Sequence, residues 1–197
     1  KEELDDLVKH QNDIDIDKSH EIEQEIRHDL MAEIKTYAAQ AKIGGGKIHL
    51  GATSMDIEDN ADTVRMKESL AIIEKKLNDL IIGFGKKIEQ YKDVPCMGYT
   101  HLQPAEPTTV GYRFAFYAQD LLLDRKFLHF VRSVLKGKGM KGSVGTAASY
   151  TQLLDKKQAE LLEEKVMEEL EIDAVDVASQ TAPRKICEQE DKNRSGV

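Results

Sequence analysis

Apolar residues recur every three or four positions along much of this sequence, which is the spacing of one face of an α-helix. The first such run extends from Ser19, a residue suited to cap a helix, to about Gln40, and we predict one continuous helix there. A longer run begins near Ser54 or Asp56, has acidic residues in its first turn and continues to Tyr91. At ~1.5 Å per residue this second helix is roughly 50 Å long, so we expect an elongated molecule and oligomerisation.

The second half of the sequence predicts two more helices, separated by a Gly-rich loop. Thr108 or Thr109 caps the first of them, and Ser149 or Thr151 caps the second, which continues through Leu170. The segment before the first of these helices contains two prolines and is predicted to be a loop, because proline interrupts a helix. No run has the alternation of a strand, so the predicted fold class is all-α, with long helices joined by polar, Gly-rich loops.

Composition and charge limit the location and the partners. With 28 Lys plus Arg against 36 Asp plus Glu the formal net charge is −8, which disfavours binding to nucleic acid. No apolar stretch approaches the ~20 residues of a membrane-spanning helix, and no signal peptide is evident, so we expect a cytoplasmic protein with no membrane partner. The sequence begins at Lys1 rather than Met, so this expectation covers only the residues given. Cys96 and Cys187 lie far apart, which indicates neither a disulfide framework nor a zinc site.

A glycine turn before the longest predicted helix is the first candidate for chemistry. It runs from His49 through Gly51 to Thr53 and Ser54, where backbone N–H groups and hydroxyls are able to hold an anion. Capping of the helix by Ser54 or Asp56 is the simpler interpretation, but capping explains neither the histidine nor the glycine.

The proline-containing segment carries a second candidate, His101, with Thr100 and Gln103 close by in sequence. An imidazole gains and loses protons near neutral pH, so this position suits a general acid or base. A single loop histidine is more often only exposed to solvent, and both interpretations stay open at this point. The other isolated histidines are predicted to be surface or packing residues: His10, His20 and His129.

Two further groups of charged residues are ambiguous. The run Arg27-His28-Asp29 is predicted to lie within the first helix, where charged residues usually form a solvated face. Three lysines in the Gly-rich loop are able to hold a phosphate, but their spacing does not match a P-loop: Lys136, Lys138 and Lys141. Spacing alone therefore supports only acid/base chemistry on a small anionic substrate.

Five segments, taken together and in order, closely resemble the adenylosuccinate lyases, a family of the fumarase/aspartase superfamily. They lie between about residue 20 and residue 185 and are Arg27-His28-Asp29, His49 to Asp62, Gly98 to Thr109, Lys138 to Thr146 and Gln180 to Lys185. Any one of them is a weak sign, whereas five in order are a specific one. The resemblance implies a long-helix bundle, with residues 1–53 in an N-terminal helical domain and residues 54–197 in the central bundle domain.

The reaction implied by the resemblance is elimination of fumarate from succinylated purine nucleotides in purine biosynthesis. Adenylosuccinate gives AMP and SAICAR gives AICAR, and the family uses no metal and no organic cofactor. Family members are homotetramers whose active sites are shared between subunits, so the implied partners are further copies of the chain and a small-molecule substrate.

The resemblance also implies residue roles. His101 corresponds to the general acid that protonates the leaving nitrogen, and His28 to the histidine that contacts substrate and supports it. The remaining substrate contacts implied are Arg27, Asp29, His49, Thr53, Ser54, Thr100, Gln103 and Gln180.

The sequence departs from the family at the catalytic base. That base is a serine in a Gly-Ser-Ser-x-Met-Pro-x-Lys-x-Asn loop, and no such run occurs in the 197 residues. We therefore expect an incomplete chain, either truncated or with further segments elsewhere, which is inactive as a lyase by itself. Two alternatives stay open: another fumarate-releasing lyase, such as argininosuccinate lyase or fumarase, and a non-catalytic helical scaffold. The retained substrate motifs argue against the scaffold.

Overall fold

A computed structural model describes residues 1–185, and within them it contains seven α-helices, one short 3-10 helix at Gly45–Lys47 and one β-hairpin. The elements follow in the order α1 Glu2–His10, α2 Ile16–Ile26, α3 Asp29–Gln40, α4 Ser54–Tyr91, β1 Pro95–Thr100, β2 Gln103–Thr109, α5 Val110–Val134, α6 Ala148–Leu154 and α7 Lys156–Glu169. None of these helices is long and apolar enough to cross a membrane. Cys96 is a free thiol in β1, and Cys187 lies outside the described residues.

The two longest helices begin where the sequence predicts. α4 is a single helix of 38 residues, and the backbone N–H of Thr53 donates to Asp56 Oδ2 at 3.1 Å across its first turn. α5 begins after Thr109, whose hydroxyl accepts a hydrogen bond from the N–H of Tyr112 at 3.1 Å. In both cases a side chain satisfies a backbone group that the first helical turn would otherwise leave unpaired.

The predicted continuous helix from Ser19 to Gln40 is wrong, because the chain leaves helical geometry between α2 and α3. Arg27 ends α2 in the left-handed region, with φ at 58°. His28 is extended and caps α3, its Nδ1 atom accepting from the N–H of Met31 at 3.4 Å. The run Arg27-His28-Asp29 therefore forms a helix break rather than a solvated helical face.

The last predicted helix is also divided. Asp155 separates α6 from α7 with φ at 83°, and its carboxylate accepts from the N–H of Gln158 at 2.9 Å. The residue that precedes α6 is Ala147 rather than Ser149 or Thr151, and Ala147 makes no side-chain cap.

The proline-containing segment forms a hairpin, so the prediction of loops without any strand is wrong here. β1 and β2 are antiparallel, with Pro95 opposite Thr109 and Thr100 opposite Gln103. Proline has no backbone N–H to donate, but each strand of a two-stranded sheet is an edge strand, where this is tolerated. The register leaves His101 and its neighbour Leu102 as the two residues of the turn.

The chain divides into two compact units. Unit 1 comprises residues 1–64 and the residues from 136 onward, and unit 2 comprises residues 65–135. The core of unit 1 includes Leu30, Ala32, Ala41, Tyr150, Ala159, Met167, Val175 and Ala182. In unit 2, α4 and α5 pack through Phe84 and Phe114, whose ring centroids are 6.0 Å apart in an edge-to-face arrangement. The predicted domain boundary at residue 53 stays a prediction.

Candidate active site

The turn at Thr53 and Ser54 is held in place by the buried carboxylate of Asp56, which is 1% exposed. Lys138 Nζ donates to Asp56 Oδ1 at 2.7 Å, and the Tyr150 hydroxyl donates to Oδ2 at 2.9 Å. Because a buried carboxylate is costly unless it is paired and hydrogen-bonded, these contacts fix the helix start in one position. Burial, and then the hydrogen bond to Asp56, raise the pKa of Tyr150, so its hydroxyl stays a donor.

Two lysines of the Gly-rich loop, Lys138 and Lys141, already form ion pairs with carboxylates. Lys138 is fully buried against Asp56, and Lys141 Nζ donates to Glu163 Oε1 at 2.8 Å. The backbone N–H groups of Lys141 and Gly142 also donate to Asp56 Oδ1, at 3.2 and 3.1 Å. Two of the three lysines that could hold a phosphate in this loop are therefore already paired with carboxylates, which argues against a phosphate site there.

In the next turn of α4, Asn60 binds the Gly-rich loop and Asp59 binds the segment around Ala182. The Asn60 side chain donates to the carbonyl of Gly139 at 3.2 Å and accepts from its N–H at 3.0 Å. Asp59 accepts from the N–H of Ala182 at 2.7 Å and from Arg184 Nη1 at 2.9 Å. The segment that carries Gln180 is thereby attached to the start of α4, while Gln180 itself is exposed.

The helix break between α2 and α3 lines an open cavity of 780 Å³. Its walls are His20, Glu23, Gln24, Arg27, His28 and Asp29. His28 Nδ1 faces Asp29 Oδ1 at 3.4 Å in addition to the N–H of Met31, so Nε2 is the ring nitrogen left for another partner. His20 lies in this wall, although the sequence predicts only a surface or packing role for it.

His28, His49 and Glu58 form one electrostatic cluster with Asp29. Burial lowers the pKa of His49; the carboxylate of Asp56 opposes this shift, and His28 adds to it. Burial raises the pKa of Glu58, and among its neighbours Asp29 raises it further while His28 lowers it. Glu58 was missed by the sequence analysis, although it lies four residues after Ser54 and therefore on the same helical face.

His101 lies in unit 2, at the tip of the hairpin. Both turn residues have left-handed backbone geometry, with φ at 48° for His101 and 63° for Leu102. Thr100 and Gln103 face each other as the last strand pair, and all four residues are exposed. A groove of 870 Å³ lies on this unit, and its lining includes Thr100, Tyr99, Tyr112, Arg113 and Phe116.

The structure thus collects the predicted residues in two places. One lies in unit 1, where the cluster of His28, Asp29 and His49 adjoins the first turns of α4. The other is the hairpin tip in unit 2, with His101 between Thr100 and Gln103. The first place also has the segment of Gln180 tied to α4.

A lyase family model matches residues 2–192, nearly the whole sequence. The chain belongs to this lyase family. Curated relatives of this chain include adenylosuccinate lyases from Saccharomyces cerevisiae, 39% identical over 88% of this chain and 37% of the relative, and from Pyrococcus abyssi, 37% identical over the same shares. Another, from Schistosoma mansoni, is 37% identical over 77% of this chain and 32% of the relative. The family resemblance inferred from the five segments is confirmed.

The chain spans about a third of the length of the curated relatives that it matches. Solved structures with the same fold include the two that follow. The fumarate lyase from Mesorhizobium sp. BNC1 has a TM-score of 0.79 at 20% identity, over 90% of this chain and 41% of that one. The β-carboxy-cis,cis-muconate cycloisomerase from Acinetobacter calcoaceticus sp. ADP1 has a TM-score of 0.75 at 24% identity, over 89% and 41%. The predicted helical fold class is confirmed, with the hairpin as an addition.

Proposed function

We propose that the whole protein is an adenylosuccinate lyase, which eliminates fumarate from adenylosuccinate to give AMP and from SAICAR to give AICAR. The observation that carries the proposal is the cluster of His28, Asp29 and His49 beside a rigid turn of two hydroxyl residues, Thr53 and Ser54. The identity of 36–39% to several adenylosuccinate lyases supports this choice of substrate over others in the superfamily.

The reaction needs a place for new negative charge. A base removes a proton from the carbon next to a substrate carboxylate, and the electron pair left behind spreads onto that carboxylate. Thr53 and Ser54 supply hydroxyl donors there, and because Asp56 fixes their turn they need not reorganise. The electron pair then forms the double bond of fumarate while the carbon–nitrogen bond breaks.

The leaving nitrogen needs a proton at the same moment, and His101 supplies it as the general acid. Its place on a two-residue turn exposes the imidazole to a substrate, with Thr100 and Gln103 as neighbouring substrate contacts. The sequence contains no Gly-Ser-Ser-x-Met-Pro loop, so the proposal assigns the base to none of these residues.

The remaining contacts bind the substrate. His28 lines the 780 Å³ cavity, and Arg27 supplies a cation in the same wall. Asp29 Oδ1 lies 3.4 Å from His28 Nδ1, His49 lies near this pair, and Gln180 contacts the substrate from the segment attached to α4.

The proposed assembly is a cytoplasmic homotetramer with shared sites. Its support is a large set of apolar side chains that are exposed in unit 2, since surfaces of this kind mark interfaces. They include Ile72, Ile73, Leu80, Ile82, Tyr112, Phe116, Leu122, Leu123, Phe127 and Phe130. Light scattering coupled to gel filtration tests the tetramer directly.

The decisive experiment measures fumarate release by the whole protein from adenylosuccinate and from SAICAR, with argininosuccinate as the competing substrate. We expect release from the two purine precursors and none from argininosuccinate. Release from argininosuccinate alone would move the protein to another branch of the superfamily. A protein that binds neither AMP nor fumarate would be a scaffold.

A further inference from the structure

The glycine that precedes Thr53 and Ser54 has no task in the proposed mechanism, and capping does not explain it either. Gly51 has φ at 78°, and a Cβ there would lie 3.1 Å from Cδ1 of the Tyr150 ring and 3.0 Å from Cδ1 of Leu153. Both distances are shorter than the ~3.5–4.0 Å of an ordinary contact between carbon atoms. The turn therefore passes close to α6 at Gly51, and the ring of Tyr150 is part of the surface that it meets.

Tyr150 also reaches the same turn through its hydroxyl. The hydroxyl donates to Asp56 Oδ2 at 2.9 Å, and the backbone N–H of Thr53 donates to the same oxygen at 3.1 Å. Tyr150 is 2% exposed, so this polar group is buried together with its ring. One side chain thus packs against the turn at Gly51 and, through a single carboxylate oxygen, is connected to its backbone at Thr53.

The hydroxyl fixes the oxygen that matters for the turn. Lys138 Nζ holds the other oxygen, Asp56 Oδ1, at 2.7 Å, and the N–H of Gly142 lies 3.1 Å from both oxygens. The side-chain torsion that rotates a carboxylate is soft, so a carboxylate held firmly at one oxygen still turns about its axis. The bond from Tyr150 restricts this rotation and keeps Oδ2 within reach of the Thr53 N–H.

We propose that Tyr150 is a positioning residue, whose hydroxyl acts through Asp56 Oδ2 to hold the turn of Thr53 and Ser54 in the form that binds a carboxylate. The inference rests on the proposed function, in which these two residues stabilise the charge that forms on the substrate. Tyr150 itself does not touch the substrate. A phenylalanine fills the same volume in the core, so the packing of the ring and the action of the hydroxyl are separable.

The direct test measures hydrogen exchange at the Thr53 amide in the whole protein, by mass spectrometry of the peptide that covers residues 49–55. Tyr150→Phe keeps the ring beside Gly51, and Asp56 Oδ2 keeps two backbone donors, so the fold should be retained. We expect the Thr53 amide to exchange about fivefold faster, which is the usual effect of one lost hydrogen bond.

The matched control is Tyr37→Phe. The Tyr37 hydroxyl donates to the carbonyl of Leu7 at 2.6 Å and joins α3 to α1, so this variant also loses one tyrosine hydrogen bond in the same unit. We expect exchange at the Thr53 amide to stay at the wild-type rate in Tyr37→Phe. Circular dichroism shows whether both variants are folded.

A kinetic test separates positioning from a general loss of stability. In Tyr150→Phe we expect kcat/KM for adenylosuccinate to fall about fivefold to twentyfold, mainly through kcat, because donors in a fixed position interact most strongly with the charge of the transition state. In Tyr37→Phe we expect kcat/KM to change less than about twofold, since its lost bond lies away from the turn.

The outcomes are distinguishable from those for the proposed function. An unchanged Thr53 amide, or a wild-type kcat/KM, in a folded Tyr150→Phe protein overturns the role of Tyr150 even if the protein releases fumarate. Equal falls in kcat/KM for the two variants also overturn it. Faster exchange at Thr53 in a protein that releases no fumarate supports the hold of Tyr150 on the turn and removes the proposed function.

Discussion

Lys138 Nζ lies 2.7 Å from Asp56 Oδ1, and both side chains are fully buried. Removing one member of such a pair leaves an uncompensated charge in the interior. We expect Lys138→Met to lower the free energy of unfolding by about 3–5 kcal/mol. Urea denaturation followed by circular dichroism measures the difference.

The matched control for this change is Lys156→Met in α7. Lys156 lies 3.9 Å from Glu160, and the two side chains are 84% and 68% exposed. Solvent screens such a pair, so we expect a loss of less than about 0.5 kcal/mol. Equal losses of unfolding free energy at Lys138 and Lys156 would show that the buried pair stabilises the protein no more than the exposed pair does.

At Gly145 the Gly-rich loop packs closely against the carbonyl of Ala178. A Cβ at Gly145 would collide with that backbone oxygen, and its φ of 84° is unfavourable for other residues. We expect Gly145→Ala to destabilise the protein by more than about 2 kcal/mol. Gly85→Ala, in the interior of α4 with open space around it, is expected to stabilise it by about 0.5–1 kcal/mol. Thermal unfolding measures the change in stability of both variants. A Gly145→Ala protein as stable as the wild type would contradict the close contact.

Leu102 occupies the second position of the hairpin turn with φ at 63°, and 93% of its surface is exposed. Two-residue turns of this kind favour glycine at that position. Because little burial is lost, we expect Leu102→Gly to stabilise the hairpin by about 0.5–1 kcal/mol and to slow hydrogen exchange at the Gln103 amide. Leu102→Val should do the opposite, since a β-branched side chain fits the left-handed region poorly. If valine protected the amide better than glycine, the turn geometry would be wrong.

His49 predicts a dependence of stability on pH. Burial lowers its pKa below the ordinary value of 6.5, so the unfolded chain binds the proton more readily than the folded chain. Above that ordinary value both states are neutral and the effect vanishes, whereas stability is lost as the pH falls below it. We expect His49→Gln to lose less stability than the wild type between pH 7 and pH 5. Parallel stability curves for the two proteins over that range would rule this out.

His101 carries the sharpest prediction for activity. In the whole protein, His101→Ala removes the proposed proton donor from an exposed turn, so the fold should be retained. We expect kcat to fall about 10²–10⁴-fold, the usual contribution of a general acid. Steady-state kinetics with adenylosuccinate, together with circular dichroism, measures both properties. Near-normal turnover would remove His101 from the proposed mechanism.

The long helices were predictable because each combines a helical apolar repeat with a capping residue at its start. The break at Arg27 and His28 was not, since Ile22, Ile26 and Leu30 continue the helical spacing across it and no glycine or proline marks it. The left-handed backbone geometry of Arg27 does not change the spacing of the apolar residues, so the sequence pattern does not reveal it.

Two other differences between the predicted and the observed elements, at Asp155 and at the hairpin, have other causes. The division at Asp155 had a signal, because Asp followed three residues later by Gln is typical of a helix start. The hairpin had no such signal in the sequence, because its strands are mostly exposed and the prolines at Pro104 and Pro107 point to a loop.

The candidate site residues were predicted from sequence motifs, whereas the hydrogen bonds that surround them could not be predicted. Asp56 looks like a helix cap in sequence, and Lys138 looks like a phosphate ligand. Only the fold shows that they satisfy each other.

The partners of Asp56 have a consequence for how the chain is made. Lys138 and Tyr150 follow Asp56 by 82 and 94 residues. At a synthesis rate of ~5–20 residues per second, roughly 4–16 s pass between translation of Asp56 and translation of Lys138. During that interval the turn at Thr53 and Ser54 lacks the groups that hold it. The ribosome therefore delivers the turn of Thr53 and Ser54 before the residues that hold it in place, so the nascent chain assembles this part of the proposed site late.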